Sequence, residues 1–552
     1  MIDKLKARLL LSRAKHPSLR GHAKMSLYVA RLVPHYEYGE EEFFSTDGAP
    51  PEVAARRREG FERLAAELER RAPRTLAVSR ELEEGLSDVA FVNAYRVPFQ
   101  YRRYVASRLS VGCVVDAADG VRVRDLDGNW SYDLGGAYGV NLFGQAFYKG
   151  AMERGLGRAS ELGVTLGSYH PIVAENVRRL RALSGLDEVS FHMSGTEAVM
   201  QAVRLARYHT GRSHVVRFCG AYHGWWDGVQ AGVGNPRPAN EVYTLKEMDA
   251  DTLRVLDTRD DIACVLVNPI QALHPNGAPP SDSTLLASDR AARYDRQAYA
   301  AWLRKLREVC SRRGIVFVID DVFMGFRLAP GGTQEYFHVR ADLVTYGKSL
   351  GGGLPVGVVC GRRHLMRRYR DDRPADVCFA RGTFNSHPVV MATMNEFLCR
   401  LDEPDVRAGY AGLDERWDAR AGLLNAAFDA EELPLRVENM ASVFTTLYTE
   451  PSRYNWMLQY YMRAAGLALS WIGTGRLVFS HDTTDVDFGE LTRRFVGAAR
   501  AMSDDGWWPR VHALSNGSIK RRVLREVLSA AALRAARPAA RGRGPSDRAT
   551  RP

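Results

Sequence analysis

The chain has 552 residues, 45% hydrophobic and 26% charged, the balance of a protein with a substantial core and length for several structural units. No apolar run reaches the roughly 18 residues of a membrane-spanning helix. Met1-Ile2-Asp3-Lys4-Leu5-Lys6 lacks the pattern of a secretory signal, so a cytoplasmic protein is expected. The formal charge of +11 sits at one end: residues 520–552 hold ten Lys or Arg against Glu526 and Asp547, leaving +3 on the remainder. A basic appendage on a nearly neutral body argues against a nucleic-acid surface. Seven cysteines with no CxxC pair argue against a disulfide framework or a zinc site, and no metal is expected.

Residues 1–95 repeat apolar positions at helical spacing, as in Phe61-Glu62-Arg63-Leu64-Ala65-Ala66-Glu67-Leu68, with Pro34, Pro50, Pro51 and Pro73 as punctuation. They read as a helical N-terminal extension without a catalytic motif. In 96–150, Val121-Arg122-Val123-Arg124-Asp125 alternates at period two, Asp127-Gly128-Asn129 turns, and Trp130–Leu134 returns as the second arm of a hairpin. This segment is expected to begin a smaller domain. Across 151–395, apolar runs at 215–218, 262–267, 315–319 and 343–346 are separated by helical patterns such as 198–209 and 297–312. Apolar strands with helical crossovers predict an α/β domain built on a mostly parallel sheet. Residues 396–515, ending near a strand at 476–479, read as the rest of a smaller α+β domain. Residues 516–552 are expected to form a basic, partly disordered tail.

Four short pieces bear chemistry. Lys348 is one of nine lysines against 67 arginines, and it lies where a strand meets Gly351-Gly352-Gly353. Glycines let backbone approach a planar ligand, and a lysine amine condenses with an aldehyde cofactor. By itself it is equally a surface lysine. Asp320 ends the 315–319 strand, where ligands of open α/β sheets bind, and a carboxylate there can hold a pyridine nitrogen protonated. Asp321 is its rival, because side chains alternate along a strand and only one of the two can face a ligand. Alone, either acid is more simply a turn cap. Ser194-Gly195-Thr196-Glu197 opens a helix whose free N–H groups suit a phosphate, or is an ordinary cap. Tyr222, in Tyr222-His223-Gly224, could stack on a flat ring, or belong to the core.

Taken in order, Ser194–Ala198, Tyr222-His223-Gly224, Ile319–Val322, Gly325-Phe326-Arg327, Gly347-Lys348, Gly351–Pro355 and Gly382-Thr383-Phe384 resemble the class III aminotransferases, nearest to the glutamate-1-semialdehyde aminomutase branch. The resemblance spans about 105 to 500. It implies the fold type I α/β architecture, with a large pyridoxal 5′-phosphate domain and a smaller α+β domain, in a homodimer that catalyses amino transfer. It makes Lys348 the Schiff-base lysine and Asp320 the partner of the ring nitrogen. Ser194, Gly195 and Thr196 would hold the phosphate, Tyr222 and His223 would contact the ring, and Thr383 would reach the neighbouring subunit's cofactor. Arg476 matches the place where many relatives keep a carboxylate-binding arginine.

The chain departs from that family in several places. Asn268-Pro269 replaces Glu-Pro, Leu273–Arg296 is a longer Pro/Ser/Asp-rich segment, and Leu477-Val478-Phe479-Ser480 lacks the usual prolines. The aminomutase's Pro-Val-Arg stretch is absent, with Tyr101-Arg102-Arg103-Tyr104 the nearest match. These departures favour a different, bulkier amino acceptor than that of the heme pathway. A resemblance to aminotransferases in secondary-metabolite assembly implies a small-molecule amino donor and an aldehyde or ketone acceptor, such as an acyl- or polyketide-derived carbonyl. The basic tail could draw in an acyl carrier protein. The alternative is a glutamate-1-semialdehyde 2,1-aminomutase-type intramolecular transfer.

Overall fold

The computed structural model describes residues 2–17, 19–230, 232–235, 237, 240–269, 295–470, 475–508 and 514–536. The hairpin expected early in the chain is there as β1 (Ala117–Asp119), β2 (Arg122–Arg124) and β3 (Trp130–Asp133), paired antiparallel. Asp125 ties its turn by accepting the backbone N–H groups of Asp127 at 3.0 Å and Asn129 at 2.8 Å.

Seven strands build the main sheet: β4 (Glu188–His192), β5 (His214–Phe218), β6 (Val242–Leu245), β7 (Ile262–Val267), β8 (Val316–Asp320), β9 (Leu343–Gly347) and β10 (Gly357–Gly361). Their order is β4-β10-β9-β8-β7-β5-β6. β10 runs antiparallel to both neighbours, and the remaining pairs are parallel. The sequence reading missed β4, β6 and β10. Each is short: Ser190 breaks the apolar run of β4, and in β10 only Val358-Val359-Cys360 lie between two terminal glycines, so no periodic signal marks them.

Side-chain alternation divides this sheet into two faces. Cys264, Leu266, Val316, Val318, Leu343 and Val359 pack with Ala198, Ala202, Leu205 and Ala206 of the helix Gly195–Thr210. Val265, Val267, Phe317, Ile319, Val344 and Val358 belong to the larger core on the other side. Alanines at four-residue spacing let that helix lie close to the sheet, which sets the height of its N-terminus above the strand ends.

The smaller domain contributes β11 (Leu435–Met440), β12 (Val443–Tyr448), β13 (Leu467–Ala468) and β14 (Arg476–Val478). β11, β12 and β14 form one antiparallel sheet, while β13 joins β3 in parallel. The N-terminal extension is helical as expected, with Glu40–Ser45, Pro51–Arg71 and Pro73–Gly85 among its helices. It is also part of this domain's core. Phe43, Phe44 and Phe61 are buried with Tyr101, Trp456 and Trp507. Arg57 is wholly buried and bridges the Asp47 carboxylate with two bonds of 2.9 and 2.7 Å. Among the described residues no helix is long and apolar enough to cross a membrane.

The C-terminal reading needs correction. Residues 516–536, taken as part of a basic tail, form a helix, Asn516–Ala536, docked on the body. Its Glu526 accepts two bonds from buried Arg453, at 2.7 and 3.0 Å, and one from the Tyr38 hydroxyl at 2.6 Å. Burial opposes ionisation of Glu526, but these donors outweigh it and hold the carboxyl below its ordinary range. Ending the chain at Ser515 leaves Arg453 buried without its carboxylate, so a destabilisation of about 3–5 kcal/mol is expected in denaturant titration. Ending it at Ala536 is expected to leave stability unchanged; residues 537–552 lie outside the described residues.

Candidate active site

The carboxyl ends of β4, β5, β8 and β9 point the same way, and each is followed by one of the four pieces singled out in the sequence. Asp320 is the last residue of β8, and its register partner on β9 is Thr345. Three donors converge on its carboxylate: His223 Nδ1 at 2.7 Å, Thr345 Oγ1 at 3.1 Å and the Val322 N–H at 3.3 Å. An acceptor-only ionised carboxylate suits this set, and it assigns the proton to His223 Nδ1. Both Asp320 and His223 are buried, at 3% and 2% exposure.

Lys348 follows β9 directly. Its φ of +47° lies in the left-handed region that costs an L-residue energy, a conformation the surrounding packing must hold. Burial lowers the amine's pKa; the Asp320 charge opposes that, while Arg327 and Arg476 reinforce it. The amine lies 5.4 Å from the centre of the Phe323 ring, and the Arg476 guanidinium lies 5.6 Å from it. Burial also pushes Arg476 down to about 10.

The two turns meet each other. Ser194 caps the helix Gly195–Thr210, accepting the Glu197 N–H at 3.2 Å, and Glu197 returns a bond to the Met193 N–H at 2.9 Å. A Cβ on Gly224, which has φ +91°, would stand 2.6 Å from Thr196 Oγ1, so only glycine lets the Tyr222–Gly224 turn lie against Thr196. Tyr222 is 58% exposed, its ring facing out beside the Asp320 charge. Lys348, Asp320, His223, Tyr222, Ser194, Gly195 and Thr196 are thus gathered at one edge of the sheet, with Arg476 joined to them through Phe323. Thr383 is not among them: it is exposed on the 381–387 loop, and no described contact links it to this cluster.

Asp321 faces the other way. It accepts the Thr333 N–H at 2.9 Å and the Thr333 hydroxyl, and burial raises its pKa to about 7. Phe323 and the segment Gly136–Gly139 were not anticipated. A Cβ on Gly139 would stand 2.5 Å from the Phe323 ring and 3.5 Å from Lys348 Cδ, so this backbone walls the lysine stem. Thr345 was also missed, although parallel pairing of two recognised strands would have placed it opposite Asp320.

Arg327, known from the sequence only as part of Gly325-Phe326-Arg327, is 1% exposed and clamps the wall in place. Its Nη1 donates to Ser442 Oγ at 3.0 Å and the Phe479 carbonyl at 2.7 Å; its Nη2 donates to the carbonyls of Gly139 at 3.1 Å and Asn141 at 2.9 Å. One side chain therefore fastens the 139–141 segment and the smaller domain to the main sheet. Arg327→Ala strands three buried carbonyls, and a loss of about 3–5 kcal/mol is expected in thermal or denaturant unfolding.

The family model for aminotransferase class-III matches residues 104–474. The glutamate-1-semialdehyde 2,1-aminomutase of Citrifermentans bemidjiense is 32% identical over 367 residues, covering 62% of this chain and 78% of its own. That of Alkaliphilus oremlandii is 35% identical over 319 residues, covering 53% and 68%. Among solved structures, a transaminase with PLP bound aligns with a TM-score of 0.61 at 25% identity, over 76% of this chain and 99% of that one. A glutamate-1-semialdehyde-aminomutase from Pseudomonas aeruginosa PAO1 shares the fold with a TM-score of 0.64 at 19% identity, over 81% and 99%.

Proposed function

The chain belongs to the class-III aminotransferase family, and from that premise we propose that it uses pyridoxal 5′-phosphate bound at Lys348 to move an amino group from a small-molecule donor to an aldehyde or ketone. The observation behind this reading is the buried Asp320 carboxylate, fixed by three donors and within electrostatic reach of the desolvated Lys348 amine. The residues present fit the cofactor: an outward aromatic face at Tyr222, a helix start at Ser194–Thr196 and a carboxylate aimed along the strand ends share one edge.

When bound, the cofactor supplies an electron sink for carbanion chemistry. Asp320 would hold the proton on the ring nitrogen, and His223 and Thr345 fix its carboxylate by hydrogen bonds. Lys348 Nζ would hold the cofactor and carry a proton to or from the substrate carbon; burial lowers its pKa and so keeps more of the amine neutral for that task. Ser194, Gly195 and Thr196 would bind the phosphate through the helix start, and Tyr222 would cover the ring. Arg476 orients a substrate carboxylate, and Thr383 serves the neighbouring subunit's site in a homodimer. Exposed Trp225 (74%), Phe379 (72%) and Val164 (72%) support a subunit contact. Borohydride treatment followed by peptide mapping tests the attachment: the adduct is expected on Lys348, and an adduct on another lysine refutes the assignment.

The acceptor class proposed is an acyl- or polyketide-derived carbonyl, free or on an acyl carrier protein; it rests on the resemblance to aminotransferases of secondary-metabolite assembly, while the departure at Asn268-Pro269 sets the chain apart from the aminomutases. A second reading, intramolecular amino transfer of the aminomutase kind, is favoured by the names of the relatives. Supplying one amino-aldehyde without a donor separates the two, since only an aminomutase converts it completely.

A further inference from the structure

Tyr222 and His223 share one loop, and little in its own backbone holds that loop still. It leaves β5 and runs from Ala221 to Val229. Gly220 and Gly224, at φ of +93° and +91°, bracket Ala221–His223, so the backbone has soft joints at both ends of that stretch. Tyr222 and Trp225 are exposed and bury little. Each limb turns only on itself: the Ala221 N–H donates to the Phe218 carbonyl at 3.1 Å, and the Val229 N–H to the Trp226 carbonyl at 3.0 Å. Among the described residues no backbone hydrogen bond joins 221–225 to 226–230.

Arg217 closes the neck between the limbs. It lies on β5, on the face that Val215 also presents to the helix Gly195–Thr210. Its register partner on β6 is Thr244, and Arg217 Nε donates to the Thr244 hydroxyl at 3.2 Å. That bond aims the guanidinium fork. Nη1 then donates to the Val229 carbonyl at 2.7 Å and to the Ala221 carbonyl at 3.4 Å, one from each limb. Val229 is fixed in turn by burial in the core beneath the helix. The Ala221 bond is long and therefore the weaker of the two; what matters is where it falls. Ala221 immediately precedes Tyr222 and stands two residues before His223, which gives Asp320 its shortest bond, 2.7 Å. A loop free to swing would carry both side chains away together, and misplacement by about 1 Å can cost on the order of 10²-fold in rate.

We propose that Arg217 is a positioning residue: by tying both limbs of the 221–229 loop to β5 and β6, it holds His223 against Asp320 and Tyr222 over the cofactor. A planar fork is needed because its three acceptors lie on three different segments, which a single ammonium group on a flexible stem serves poorly. The placement of Tyr222 over the cofactor rests on the reading of Lys348 as the cofactor lysine; the hold on His223 does not.

Three variants separate this role from a general loss of fold. Arg217→Gln removes the fork, Arg217→Lys keeps a cation that can serve one carbonyl, and Thr244→Val keeps its shape but withdraws the Nε acceptor. In protein labelled with ¹⁵N at histidine and free of cofactor, the His223 Nδ1 proton is followed by NMR and assigned with His223→Gln. Its downfield resonance is expected to vanish in Arg217→Gln, to broaden in Thr244→Val and to persist in Arg217→Lys. Affinity for pyridoxal 5′-phosphate is read separately, from quenching of tryptophan fluorescence, with Trp225 and Trp226 on the loop itself. It is expected to fall about 10-fold in Arg217→Gln and about 3-fold in Thr244→Val, with Arg217→Lys nearer the wild type than Arg217→Gln. A lost resonance with unchanged affinity supports the hold on His223 and shows instead that the cofactor reading of this loop has failed. An unaltered resonance in Arg217→Gln overturns the proposal, as does an affinity loss that merely follows the melting temperature through all three variants. Should Arg217→Gln fail to fold, Thr244→Val decides alone, and wild-type values in it overturn the proposal.

Discussion

Lys348→Ala is expected to abolish turnover, by at least about 10⁴-fold, while the protein remains folded. The amine is buried where its charge is disfavoured, it lies within reach of the Asp320 carboxylate, and its backbone is held at a φ that few residues adopt. Alanine at the same φ is no more strained than lysine, so the loss is chemical. The fold is checked by the melting transition, and the loss by turnover together with absence of the borohydride adduct. Retention of even a hundredth of the activity would show that another group does the proton transfer.

Neighbouring carboxylates are expected to separate in the second experiment. Asp320→Asn should cut activity by about 10²–10⁴-fold, since an amide cannot hold the ring nitrogen protonated and its NH₂ group would confront donors from His223 and Thr345. Asp321→Asn should change activity no more than a few-fold and instead alter the pH dependence of stability. A carboxyl whose folded pKa is raised from 3.8 to about 7 contributes stability that is complete below the unfolded value and lost as pH rises through the folded one. Wild-type stability should therefore carry a declining component between about pH 4 and 7 that Asp321→Asn removes. Melting curves across that range, beside turnover, decide the matter: comparable activity losses in both variants would mean that strand facing does not set the roles.

Much of the frame was legible in the sequence. Apolar runs at 262–267, 315–319 and 343–346 are long enough to be buried on both faces, so parallel strands were implied locally. Residues that follow such strands collect at one edge, and for that reason the order Ser194, Tyr222, Asp320, Lys348 already pointed to a single site. The choice between Asp320 and Asp321 was not legible. It depends on which face of β8 the helix Gly195–Thr210 covers, a contact between segments more than a hundred residues apart.

The same distance in sequence hid the rest. Nothing local indicates that Arg327 holds Gly139 and Phe479, or that Phe323 lies between Lys348 and Arg476. Composition made residues 516–536 look like a solvated basic appendage, because charge count records neither the single glutamate among them nor the buried Arg453 that lies 73 residues upstream of it. Periodicity and turn chemistry act over a few residues and therefore settled which elements form. Which charges end up buried together is decided only when those elements pack, because desolvation and pairing depend on neighbours that the chain brings in from far away.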